Sequence, residues 1–361
     1  MGDGTRKTDQ SGAGAWPFVM SWVGRTSALI GLFVTLAGGV TWLINHHRRD
    51  AERSSKMVLA EAQISQGEYQ AAVDSYAAIL KTDPLFVPAL EKQLDTAMEW
   101  VEDFHVLGHK GQDATDVAGP QIDTIMSILD AGLPRSKGTR AADIQAHIGW
   151  AHWLNQHIAE REFGDAAARN LSAALSADPS NVYANAMSAN LELQNHGNFD
   201  DAVKQLNVAV SSGRARPFVR RLQIGGLMSS EEPGAPAELV RVTNDMRKSG
   251  EALDESERAR ISNFCFAAGM SNHKALGKVL SAAPSDEVWS TYLWLDSRNS
   301  GEDSVAHRFI QANLMEVSGK QEEALAQFRT LQKELKNSPG SLKDAVDAAV
   351  SGLSVGGSAS R

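Results

Sequence analysis

Thr26 to Ile44, TSALIGLFVTLAGGVTWLI, is a run of nineteen residues without one charge. As a helix rising about 1.5 Å per residue it would be about 28 Å long, close to the ~30 Å hydrocarbon thickness of a bilayer. Arg25 precedes the run; His46, His47, Arg48, Arg49 and Arg53 follow it. Trp22 and Trp42 fall near its ends, where amphipathic rings prefer the headgroup level. A cleaved signal would carry a shorter apolar core and small residues at a cleavage site. Here 25 residues precede the run and it ends in WLINHHRR. The expectation is an uncleaved single-pass transmembrane helix over 26–45 behind a flexible tail, 1–25, with the lipid bilayer as one partner. Basic flanks of three and four residues favour a cytoplasmic soluble domain, as at a bacterial inner membrane. Ser27, Gly31, Thr35 and Gly39 recur every four residues, a small face that permits close helix approach and self-association into a homo-oligomer. Small residues are also common in membrane spans generally.

Charge divides the chain unevenly. Residues 1–56 hold seven Lys/Arg against four Asp/Glu, while the remainder holds 28 against 40. An acidic body argues against sequence-independent nucleic-acid binding, which depends on neutralising phosphates with Lys and Arg. Cys265 is the single cysteine, so no intrachain disulfide forms.

After the apolar run the texture becomes Ala-rich with helical periodicity, and strand signals are almost absent. One phrase recurs: an alanine, a bulky apolar residue four positions on, and an apolar residue three further. Its members are Ala72, Tyr76, Ile79; Ala167, Leu171, Ala174; Ala202, Leu206, Ala209; and Ala324, Phe328, Leu331. Gly67, Gly197 and Gly319 fall in the turn ahead of three of the phrases, where a left-handed backbone is cheap only for glycine. Pro84 and Pro179, each after Asp, stop the helix.

These residues resemble the tetratricopeptide repeat, a 34-residue helix–turn–helix unit. The resemblance implies an all-α solenoid with repeats at 53–86, 148–217 (two units) and 305–338. Divergent helical stretches lie at 87–147 and 218–304, and 339–361 is a helix end with a flexible tail. The loops 108–120 and 228–236 are expected to carry non-repeat structure, and Gly225-Gly226 to break one helix from the next. The resemblance also implies a protein-interaction scaffold that holds a protein or peptide partner along its first helices. Family geometry places Gly149, His152, Gln156 and Ala159 of one unit, and Ala184, Met187, Leu191 and Gln194 of the next, on the binding face. This mixture of amides, methionine and aliphatics suits a partly apolar segment.

Catalytic motifs are missing from the sequence: no nucleophile elbow, phosphate-cradling loop or dinucleotide fingerprint. The expectation is a non-enzyme without cofactor or metal; the first alternative is a structural membrane component that self-assembles through its anchor stripe and repeats, and the second an enzyme with a catalytic insertion in 87–147 or 217–304. His105 and His109 could share a metal, but His109 sits in a Gly-flanked loop. Cys265 on an apolar face reads as a small buried hydrophobe. Arg214, Arg216, Arg220 and Arg221 gather within eight residues of an acidic body. Guanidinium forks recognise carboxylates bidentately, so Arg216, Arg220 and Arg221 are candidates for partner binding. Equally, such arginines neutralise neighbouring acidic helices.

Overall fold

The computed structural model describes residues 42, 45–104, 112–161, 165–211, 217–267, 272–296 and 304–356. Every described element is a helix. The first, α1, covers residues 45–65. It is followed by α2 (Tyr69–Thr82), α3 (Val87–Glu102), α4 (Gln112–Gly132), α5 (Thr139–His157), α6 (Ala166–Ala177), α7 (Val182–Gln194) and α8 (Phe199–Ser211). Then come α9 (Pro217–Ser229), α10 (Ala235–Ser249), α11 (Glu255–Ser262), a π turn (Asn263–Ala267) and α12 (His273–Leu280). The chain closes with α13 (Ser285–Leu295), α14 (Val305–Val317), α15 (Gln321–Glu334) and α16 (Ser341–Gly356).

Among the described residues no helix is long and apolar enough to cross a membrane. That finding contradicts the single-pass transmembrane helix and the membrane location read from the sequence, and it leaves the bilayer as partner without support. Helix α1, which begins at residue 45, is not an apolar helix: it carries Arg48, Arg49, Asp50, Glu52 and Arg53 within its first nine residues. The run 26–44, with Ser27, Gly31, Thr35 and Gly39, lies outside the described residues except for Trp42.

The chain divides into two compact units, Met1–Trp100 and Val101–Arg361. In the first, Ala60, Ala72, Tyr76, Ile79 and Ala89 form a small core with Met57, Ile64, Leu80 and Phe86 packed on it. Arg53 ties α1 to the end of α2 by pairing with Asp83 at 2.8 Å.

In the second unit helices pack as successive pairs: α5 on α6, α7 on α8, α14 on α15. The recurring phrase explains the pairing. Ala167, Leu171 and Ala174, then Ala202, Leu206 and Ala209, then Ala324, Phe328 and Leu331 are all buried. A small residue lets the paired helix come close, and the bulky one a turn later fills the gap. Gly149 on α5 marks such an approach, since a Cβ there would sit 3.1 Å from the Ala167 carbonyl oxygen. One continuous core runs from Ala189 on α7 to Ala349 on α16.

Two local expectations fail. The stretch 108–120 is helical from Gln112, with Pro120 inside α4. Ala118, Ile122, Ile125 and Leu129, spaced by four, three and four, are completely buried, and this apolar stripe outweighs the Gly119-Pro120 turn signal. Gly225 and Gly226 do not break a helix; both lie within α9.

Candidate protein-interaction face

Helix α7 packs between α5 and α9, so three first helices lie side by side. Polar side chains fix their register. Asn181 caps α7, its side-chain oxygen accepting from the Ala184 N–H at 2.9 Å. Its amide donates to Asp143 Oδ1 on α5 at 2.7 Å, so the cap also joins the two helices. On the other side, buried Asn190 of α7 donates to the Leu222 carbonyl of α9 at 3.2 Å. Each buried amide thus finds a partner on the neighbouring helix, which sets the helices' relative slide as well as their contact.

Sequence-predicted site residues divide on this frame. Gln156 is exposed on α5, and His152 is half-buried beside it. Burial, the largest effect, lowers the His152 imidazole below its ordinary pKa, with Asp130 opposing and Arg169 adding to the shift. Leu191 and Gln194 are half-buried on α7, and Gln194 donates to Asn190 Oδ1 at 2.9 Å. Met187 and Ala184 are fully buried and Gly149 and Ala159 are buried, so these positions pack inward. Arg216 and Arg214 lie outside the described residues, as do His105 and His109.

The two remaining arginines differ from each other. Arg220 is held by both Glu251 oxygens, Nε at 2.9 Å and Nη2 at 2.7 Å, and donates to Gln223 at 2.8 Å. Its fork is therefore committed to the protein's own carboxylate. Arg221 is exposed, reaching Asp103 at 3.2 Å and the Glu102 carbonyl at 3.4 Å. Neither contact is short, and its guanidinium stands 5.9 Å over the Phe218 ring.

Two features of this face go beyond the sequence reading, in which Trp150 and Trp153 are core or inter-repeat packing residues. Trp153 is half-buried and stacked between Trp150 (4.3 Å between ring centroids) and exposed His157 (4.4 Å). The W-x-x-W-x-x-x-H spacing, three and four residues apart, was the signal for one helical face. On α9, Arg221, Ile224, Gly225 and Met228 follow the i, i+3, i+4, i+7 rule and line a groove against α11. Cys265 is buried and burial pushes its thiol pKa far up, the environment of an inert structural cysteine.

Residues 159–219 match a family model described as tetratricopeptide repeat, about a sixth of the chain. The matched span runs through α6, α7 and α8 to the first turn of α9, so the chain carries this repeat within an all-helical array. Repeats of this class generally mediate protein–protein interaction, and folds of this type are typically non-catalytic scaffolds. No curated protein matches the chain.

Proposed function

We propose that this chain is a non-catalytic scaffold that binds a protein or peptide partner across the exposed faces of α5, α7 and α9. The observation that carries the reading is the side-by-side placement of these helices inside and beside the repeat match, with Gln156 and Arg221 exposed and Leu191 and Gln194 half-buried. The face mixes amides, an aliphatic and a cation, which suits a segment that supplies both backbone hydrogen-bonding groups and apolar side chains. Trp153 and His157 extend it at the α5 end with aromatic surface of the kind enriched at binding hot spots.

The test is affinity capture with the full chain against a Gln156→Lys/Leu191→Lys variant whose helicity is verified by circular dichroism. The expected result is loss of the specifically captured protein from the variant. Capture of the same protein in the same yield would overturn the assignment of the face.

A further inference from the structure

A groove of about 160 Å³ separates α9 from α11. That is the size of a cavity that takes one benzene ring, and well short of the roughly 300–1,000 Å³ typical of small-molecule sites. It fits a single side chain of a larger partner. Its apolar lining is Ile224 and Met228 from α9 and buried Ile261 from α11. Met228 adds an adaptable thioether to the wall.

The charges at the groove are unusual for this chain, whose formal net charge is −9. Arg221 contributes to one wall and Arg260 to the other. Arg260 is exposed, and its side chain makes no ion pair or hydrogen bond among the described residues. Arg221 donates through Nη2 alone, so the rest of its fork is open. Glu257, the carboxylate in the groove, accepts from the Asp254 N–H at 3.0 Å in the capping box of α11. One of its oxygens is thereby engaged, and the open donors are guanidinium N–H groups.

Gly225 supplies the remaining observation. Glycine inside a helix costs roughly 0.5–1 kcal/mol relative to alanine. A Cβ at Gly225 would meet nothing within 4 Å, so no close approach within the fold calls for it. Gly225 is itself part of the groove lining, and without a side chain it leaves that stretch of the wall bare.

We propose that this groove receives an acidic side chain of the protein partner together with the aliphatic or aromatic side chain next to it. The apolar residue enters between Ile224, Met228 and Ile261, and the carboxylate is held by Arg221 and Arg260. An acidic segment is repelled by most of this chain, so two guanidiniums in one place fix where along α9 and α11 the segment settles. The proposal rests on the reading of α5, α7 and α9 as the partner face and specifies what the partner carries.

Display of random twelve-residue peptides against the full chain tests it, with Arg260→Gln and Gly225→Phe as the altered proteins. Arg260 is exposed and the Gly225 Cβ position is open, so both should keep the fold, as circular dichroism would verify. The expected outcome is enrichment of peptides with Asp or Glu beside Leu, Ile, Met or Phe. Affinity of the best peptide should fall about ten-fold or more in Arg260→Gln and be lost in Gly225→Phe. Changing its Asp or Glu to the amide should weaken binding to the unaltered chain more than binding to Arg260→Gln, where Arg221 alone remains to hold the carboxylate. Peptides without acidic excess, or affinities indifferent to both substitutions, would overturn the groove assignment. If such peptides still compete with the captured partner and fail on the Gln156→Lys/Leu191→Lys protein, the face stands and only the groove falls. No enrichment of any peptide would count against both.

Discussion

Gly225 and Gly226 are neighbours in one helix with opposite surroundings. A Cβ on Gly226 would come within 2.9 Å of Leu193 Cδ1 and 3.2 Å of Asn190 Nδ2. Leu193 is 3 % exposed and Asn190 is tied to the Leu222 carbonyl, so neither can give way freely. Gly226→Ala should therefore destabilise the protein by about 1–3 kcal/mol through overpacking between α7 and α9. Gly225→Ala should stabilise it by about 0.5–1 kcal/mol, because the helix gains propensity and nothing is displaced. Chemical denaturation of the two variants separates them, and a shift of the same sign in both would contradict this packing. The sequence alone presents the pair as one turn signal, since the contact that distinguishes them comes from residues more than thirty positions earlier. The arginine cluster has the same character. Its chemistry was legible, but the commitment of Arg220 to Glu251 and the relative freedom of Arg221 depend on partners 31 and 118 residues away.

At the scale of elements, Arg220 joins α9 to the chain that leaves α10, and the joint should be sensitive to pH. The Arg220 hydrogen bond is the largest influence on the Glu251 carboxyl and holds it below the usual carboxylate range, with burial opposing. A carboxyl lowered in the folded state stabilises above its unfolded pKa of about 4.3, and that contribution is lost as pH falls through the lowered folded value. The denaturation midpoint of the protein should thus exceed that of Arg220→Met at pH 7 and approach it below about pH 4. A gap that stays constant down to pH 3 would contradict the assignment. Most of the paired-helix pattern was legible because the alanine–bulky–apolar phrase reports burial directly: Ala72, Tyr76 and Ile79 are 0 %, 0 % and 1 % exposed. Turn chemistry was legible only in part. Gly67 and Gly319 adopt the expected positive φ, 75° and 83°, whereas in the third unit His196, not Gly197, takes it, at 54°. Helix α4 was hidden because Gly, Pro and Asp near its start are turn formers locally, and only burial of its apolar stripe decides for helix.

On the scale of the whole molecule, the body from Val101 onward contains a continuous core that runs from α7 to α16. Stacked helix pairs leave the outer faces of the first helices free for a partner, and the excess of acid over base restricts which partners approach. The uncharged run 26–44 shows how far composition reaches. Its length and flanks match a membrane span, but apart from Trp42 it lies outside the described residues, among which no helix has the apolar length to cross a bilayer. The central claim is that a partner lies along α5, α7 and α9. Amide hydrogen exchange of the full chain, alone and with the captured partner bound, tests it most directly. Slowed exchange in α5, α7 and α9, with α6, α8 and α10 unchanged, is the expected result; slowing confined to α6, α8 and α10, or none in any of these helices, would contradict it.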